Sequence, residues 1–283
     1  MNSRYWGKLW IIGLFLFLCL TIPSLPSLWA QGDLPARSWN PDNLARLKAL
    51  NLKEPFTFAV FGDSRNNPPV FEQLLEGVSQ DKGIAFAIHL GDMVDYANLD
   101  QYNLFFQQAR GNLHIPLLAA VGNHELQNNG AEIYAGIFGP RYYSFRVRRH
   151  YFLVLDASAS TGPDETQFQW LERELQKARA CLTRLVFMHV PLSDPRGPDH
   201  HHCLRPDSAA RLVKLFKKYR VTHVFTAHIH AYFTGKLQGV PYTISGGAGA
   251  PLYREVPTAA FYHFLKVTVK GNRLQIRVIR VEE

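Results

Sequence analysis

An α/β fold with a largely parallel sheet is what this sequence predicts, on two observations. Three apolar runs, Phe56 to Phe61, Ile84 to Leu90 and Ile115 to Val121, each stop at a glycine followed by a residue able to hold a metal: Gly62-Asp63, Gly91-Asp92 and Gly122-Asn123-His124-Glu125. Helical stretches separate them, so strand, polar loop and helix alternate, the pattern of parallel strands joined by right-handed crossovers. In open α/β sheets the sites lie at the C-terminal ends of strands, where these polar residues fall.

Taken in order, Asn40-Pro41-Asp42 reads as a helix start, with Asn40 as N-cap and Pro41 in the first helical position, running to about Leu50. The strand Phe56 to Phe61 leads through Asp63-Ser64-Arg65 into a helix from about Pro69 to Gln80. Ile84 to Leu90 is the second strand, Leu99 to Arg110 the next helix and Ile115 to Val121 the third strand. Tyr142 to Val147 and Tyr151 to Asp156 then read as adjacent antiparallel strands. Glu165 to Ala178 is an amphipathic helix with Phe168, Leu171 and Leu175 on one face. The strand Arg184 to Met188 ends at His189, and a loop from Pro191 to Pro206 precedes a helix over Ser208 to Tyr219. Thr222 to Ala227 ends at His228-Ile229-His230, and the remainder reads as strands around the small-residue turn Ser245 to Pro251.

Residues 1–30 differ from the rest. Arg4 and Lys8 precede an apolar run from Leu9 to Leu20, followed by Pro23, Pro26 and Trp29-Ala30-Gln31. That is the shape of an export signal, and the run is shorter than the ~20 residues a spanning helix needs. Extension of apolar character through residues 9–29 leaves an uncleaved membrane anchor as the alternative. The expected location is therefore periplasmic or extracellular, or tethered at a membrane, with residues 31–283 as a single domain. A hydrophobic content of 47% with 19% charged residues excludes disorder on a large scale. The net charge of +8 is a mild excess that favours anionic partners. Lys214, Lys217, Lys218 and Arg220 read as the solvated face of one helix, so charge gives no case for a nucleic-acid scaffold. Cys181 and Cys203 are either one disulfide or two free thiols.

Five strand-end loops thus present Asp63, Asp92, Asn123 with His124, His189, and His228 with His230. Carboxylate, amide oxygen and imidazole together suit zinc, manganese or iron rather than an all-oxygen calcium cage. In this order the motifs Gly62-Asp63-Ser64-Arg65, Gly91-Asp92, Gly122-Asn123-His124-Glu125, Met188-His189 and Ala227-His228-Ile229-His230 resemble those of the calcineurin-like metallophosphoesterases. The resemblance implies a four-layer αββα sandwich, two mixed sheets flanked by helices. It also implies two divalent or trivalent metal ions, one on Asp63, Asp92 and His230, the other on Asp92, Asn123, His189 and His228. A hydroxide bridging them would attack the phosphorus of a phosphomonoester or diester, with His124 as leaving-group acid and Asp95 as its hydrogen-bonding partner. A non-catalytic scaffold of the same fold in the cell envelope is the alternative.

One position departs from the family pattern: where Asp-x-His is usual, this chain has Arg65, and a guanidinium cannot ligate a metal. Water or Asn66 completes the first metal's shell, or Arg65 binds the substrate phosphate, or Arg65 forms a surface salt bridge beside a single metal. In purple acid phosphatases a tyrosine ligand lies three residues past the shared aspartate. Here that residue is Asp95, and Tyr96 is one step too far. His200, His201 and His202 either line the cleft or lie exposed, and selection of the ester's alcohol falls to loops such as Asn123 to Gly139 and Pro191 to Pro206, whose sequence does not name it.

Overall fold

The computed structural model describes residues 34–197 and 199–282, so the leader reading lies outside the described residues. No described helix is long and apolar enough to cross a membrane. Helix α1 (Trp39–Ala49) precedes strand β1 (Phe56–Phe61). Helices α2 (Pro68–Gln80) and α3 (Leu99–Asn112) then connect β1 to β2 (Ile84–His89) and β3 (Leu117–Ala119), all three strands parallel. Helix α4 (Gly130–Phe138) leads to the antiparallel pair β4 (Tyr143–Val147) and β5 (His150–Val154). Next come α5 (Glu165–Lys177), β6 (Thr183–Phe187), α6 (Pro206–Lys218) and β7 (His223–Thr226). The strands β8 (Tyr232–Leu237), β9 (Val240–Ser245), β10 (His263–Lys270) and β11 (Arg273–Arg280) close the chain.

The strands form two mixed sheets, ordered β11-β10-β1-β2-β3 and β4-β5-β6-β7-β9-β8. Alternate residues of β1 divide between two cores. Phe58 and Val60 meet Phe86, Ile88, Phe152, Phe187 and Phe225 between the sheets, whereas Ala59 and Phe61 lie under α2 to α4 with Phe71, Leu74, Phe105 and Tyr134. A third core joins Leu153, Val186 and Val224 to Phe168 and Leu171 of α5 and Leu212 and Phe216 of α6. The layers are therefore helix, sheet, sheet, helix, as the family resemblance implied. Burial on both faces is why the central strands read as continuous apolar runs rather than alternating ones. Rings tie the two sheets together, with Phe58 edge-on to Phe152 at 5.5 Å and Phe86 to Phe152 at 5.9 Å.

Four local expectations change. Asn40 is not the N-cap of α1, because Ser38 takes that place without a side-chain bond. Asn40 is buried instead: Nδ2 donates to the Ala119 carbonyl at 3.1 Å and Oδ1 accepts from the Ala119 N–H at 2.9 Å. Asn43 Oδ1 likewise accepts from Leu117 N at 3.3 Å. Strand β3 is the sheet edge, and α1 supplies the partners that an open edge lacks. It is also shorter than predicted, since β2 pairs with only three of its residues. Helix α6 starts at Pro206 rather than Ser208, as proline suits the first helical position, where no N–H is required. The stretch from Asn123 to Gly139 is not a loop but a 3₁₀ segment, His124–Asn129, followed by α4, which buries Tyr134, Ile137 and Phe138. Cys181 and Cys203 are free, lying before and after β6 at its opposite ends.

Candidate metal centre

The ligand-type residues meet where the strands of both sheets end. Asp63, Asp92 and His228 hold left-handed backbone, with φ of 60°, 58° and 66°. Asp and His tolerate this region better than most residues. Gly122 lets two loops approach: a Cβ there would stand 2.2 Å from Asp92 Oδ1 and 2.4 Å from Asp92 N. Gly246 does the same for the small-residue turn, where a Cβ would meet Asp63 Oδ2 at 2.8 Å.

One group comprises Asp92, His189 and His228, whose ligand atoms all lie within 4.8 Å of one another. His189 Nε2 is 3.4 Å from Asp92 Oδ1, 3.0 Å from Asn123 Oδ1 and 3.1 Å from His228 Nδ1. His189 Nδ1–H donates to the Leu90 carbonyl at 2.9 Å, which orients the ring with Nε2 toward the group. Burial alone would lower the pKa of His189, but the charge and hydrogen bond of Asp92, together with the charges of Asp63 and Glu125, outweigh it and push it up to about 9. Burial, with His189 adjacent, brings His228 down to about 3, so it stays neutral. Asp92 would be raised by burial, yet His189 and His124 hold its carboxyl well below the usual range. Without a metal, His189 and Asp92 therefore form a buried ion pair.

A second group pairs Asp63 with His230. Asp63 Oδ2 accepts from the His228 N–H at 2.9 Å, and Oδ1 lies 3.4 Å from His230 Nε2. His230 Nδ1–H is taken by the Pro251 carbonyl at 2.8 Å, leaving Nε2 free. Asp63 Oδ1 and Asp92 Oδ2 are buried with no hydrogen-bond partner. Two orphaned carboxylate oxygens beside free imidazole nitrogens fit cations, since such oxygens are costly to bury unpaired.

Arg65, Asp95 and His124 form the adjoining wall. His124 Nδ1–H donates to the backbone carbonyl of Asp95 at 2.7 Å. Its Nε2 lies 3.7 Å from Asp92 Oδ2, on a side chain that is 18% exposed and so open to a substrate. The Asp95 carboxylate is 3.8 Å from His124 Nδ1 and is taken instead by Arg65 Nη1 at 2.6 Å and Asn66 Nδ2 at 3.0 Å. Asp95 thus meets His124 through its main chain, and Asn66 is engaged by the same carboxylate. Arg65 Nε is buried, unpaired and 3.8 Å from Asp92 Oδ2. Tyr96 is 51% exposed. Iron-loaded protein is expected to lack the strong visible band of an iron–tyrosinate; such a band, lost in Tyr96→Phe, would refute this.

Two features escaped sequence reasoning, and a third concerns His202, whose place the sequence leaves open. Glu125 is buried and accepts four backbone N–H groups. Its Oε2 takes those of Asp92 (2.8 Å) and Gly122 (2.7 Å), and its Oε1 those of Met93 (2.8 Å) and Val94 (3.2 Å). His89 Nδ1 accepts from Gly91 N at 3.1 Å, so its Nε2–H donates to Ser64 Oγ at 2.9 Å and braces the first ligand loop. His202 packs against His228, ring centroids 5.5 Å apart, and pairs with the Tyr253 hydroxyl at 3.2 Å. Tyr253 in turn lies 4.8 Å from the His230 ring. A salt bridge from Asp194 to Arg196 and on to Glu255 ties their two loops together. Glu125 carried a signal, the acid closing Gly-Asn-His-Glu, and His202 lies beside His228 while remaining exposed.

Comparison with known proteins agrees with this geometry. Residues 56–232 match the calcineurin-like phosphoesterase family. A zebrafish (Danio rerio) protein, serine/threonine-protein phosphatase CPPED1, is 33% identical over 153 residues, 49% of this chain and 50% of that one. The Fe(3+)-Zn(2+) purple acid phosphatase 12 of Arabidopsis thaliana is 29% identical over 124 residues, 43% of this chain and 26% of that one. The chain thus spans half or less of the length of these relatives. The structure of the purple acid phosphatase PPD1 from yellow lupin (Lupinus luteus) seeds superposes with a TM-score of 0.67 at 16% identity, over 81% of this chain and 52% of that one, a likeness of fold.

Proposed function

The chain belongs to the calcineurin-like phosphoesterases, and from that membership we propose that it is an exported, metal-dependent hydrolase of phosphate mono- or diesters. The observation that carries the reading is the pair of orphaned carboxylate oxygens, on Asp63 and Asp92, set among His189, His228 and His230. In this reading Asp63, Asp92 and His230 hold one ion, and Asp92, Asn123, His189 and His228 the other, with manganese, iron or zinc suited to the donor set. Bound there, the ions supply an activated water near neutral pH and positive charge against the phosphoryl oxygens. Export rests on Arg4, Lys8 and the apolar run after them.

The chain's own side chains bind and protonate. His124 is oriented by its bond to the Asp95 carbonyl, so that Nε2 can pass a proton to the leaving alcohol. Arg65 is held by Asp95 with Nε unclaimed, a donor suited to a phosphoryl oxygen. Metal-reconstituted protein is expected to hydrolyse an aryl phosphate, and His189→Ala to lose that activity. A variant as active as the wild type would refute the ligand assignment, and a wild type without turnover on any ester would favour the scaffold reading.

Metal affinity should depend on pH in a defined direction. With its pKa pushed up to about 9, His189 must lose a proton before it can bind a metal. Affinity should therefore rise with pH between about 6 and 9, with close to one proton released per ion bound at that position. The same shift stabilises the metal-free fold fully below the ordinary histidine pKa, and that contribution fades as pH rises through about 9. The metal-induced gain in Tm should accordingly grow over this window. Calorimetry in buffers of different ionisation enthalpy counts the protons, and release of none would contradict the buried ion pair.

A further inference from the structure

A cleft of about 350 Å³ opens beside the first ligand loop, lined in part by Asn66, Asn67, Leu252, Arg254 and Tyr262. Small-molecule sites span ~300–1,000 Å³, so its size admits a substrate group. It borders the metal centre on two sides. Asn66 follows Arg65, and Pro251, also on the wall, carries the carbonyl that holds His230.

The lining has a consistent sign. None of the residues on its wall is acidic, and Arg254 is its charged donor; the Asn66 amide donates to Asp95 Oδ1 at 3.0 Å and the Asn67 amide to the Tyr262 hydroxyl at 3.4 Å. Arg254 is exposed and has no ion-pair partner among the described residues, and its neighbour Glu255 is engaged by Arg196 at 2.9 Å. Asn67 is also the cap residue of α2 and makes no side-chain cap bond, so the positive end of a 13-residue helix dipole adjoins the same wall, although Pro68 and Pro69 supply no N–H there. The Arg254 charge and the positive end of α2, around a cavity with no acid on its wall, are complementary to an anion.

We propose that this cleft is the subsite for a second anionic group, a carboxylate or a phosphate, carried on the alcohol of the ester, with Arg254 as its charge partner. The inference rests on the phosphoesterase reading above. It narrows the substrate class to esters whose alcohol bears its own negative charge near the scissile phosphate. Arg65 takes the phosphoryl oxygens, and Asn66 leads from that position into the cleft.

Glycerol 2-phosphate and 2-phosphoglycerate test this, since they differ by one hydroxymethyl group replaced by a carboxylate. The metal-reconstituted wild type should favour 2-phosphoglycerate in kcat/KM by about tenfold or more, the order expected of one charge-assisted hydrogen bond. Arg254→Gln should bring the ratio close to one, and Arg254→Glu should invert it. Comparison with glycerol 1,2-bisphosphate, which carries a second phosphate and no carboxylate, tells whether a phosphate is taken in place of the carboxylate. A wild-type ratio near one, or a ratio unchanged in both variants, overturns the proposal. If none of these esters nor an aryl phosphate is hydrolysed, the phosphoesterase reading fails by itself. Dissociation constants of the same pair, measured by calorimetry on wild type and Arg254→Gln, then decide the subsite independently.

Discussion

Asp92→Ala is expected to abolish hydrolysis of an aryl phosphate, a fall of at least ~10³-fold in kcat/KM, as befits loss of a main electrostatic element of a site. Asp92 turns Oδ1 to His189, 3.4 Å away, and leaves Oδ2 unpaired beside Arg65 and His124. In the proposed assignment the two ligand groups share only this carboxylate. Without it, Asn123, His189 and His228 still surround one position, whereas the other keeps Asp63 and His230 alone. Metal should therefore be lost from the Asp63–His230 position first, so that metal analysis after dialysis finds at most one ion per chain. The charge balance changes as well. His189 is pushed up to about 9 chiefly by Asp92, so in the variant its pKa should fall toward neutrality or below, under the burial that remains. NMR titration of the imidazoles would follow that shift, and wild-type turnover with two retained ions would sink the assignment.

The ligand set could be read from sequence because each strand-end loop abuts an apolar run, and at all but His189, which follows Met188 directly, a glycine or small residue marks the turn that brings the ligand over the strand end. Gly62, Gly91, Gly122 and Ala227 all do so. Periodicity located the strands for the same reason: both faces of β1 and β2 are buried, which makes their residues continuously apolar. What could not be read depends on distances between elements remote in sequence. Asn40 looked like a helix cap because Pro41 follows it, but its partner is Ala119, and only the sheet order makes β3 an edge. Whether the Asp95 carboxylate would choose His124 or Arg65 turns on about 1 Å of placement between two loops. The guanidinium wins because it is always charged and reaches 2.6 Å, whereas the imidazole finds the main-chain carbonyl beside it. The His202–Tyr253 contact depends on a 51-residue separation closed by the Asp194–Arg196–Glu255 bridge, and neither loop announces its shape locally.

Glu125→Gln is a conservative change in size and should nonetheless be among the most destabilising in the chain. Each Glu125 oxygen accepts two main-chain N–H groups, and together they join the Asp92–Val94 turn to Gly122. An amide has one acceptor oxygen, so whichever way it is turned its NH₂ confronts two N–H donors. Two buried donors are left unsatisfied, at ~1–3 kcal/mol each, so a loss of roughly 3 kcal/mol or more is expected. For a domain of this size that is a fall in Tm of about 6–12 °C. An opposing effect sets the pH dependence. Burial and the neighbouring Asp92 charge push the Glu125 carboxyl up to about 7, so the metal-free fold disfavours its ionised form. The stability it contributes is therefore fullest below the ordinary glutamate range and declines as pH rises through about 7. Glutamine does not titrate, so the deficit of the variant should be larger at pH 5 than at pH 8. If repulsion from Asp92 outweighed the four N–H bonds, the variant would instead melt above the wild type at pH 8. Thermal unfolding of both metal-free proteins across this range decides between the two. Because the donors belong to the loops that carry Asp92 and Asn123, weaker metal binding should accompany the lower Tm. A variant with wild-type Tm and wild-type metal affinity would show that Glu125 does not hold these loops in place.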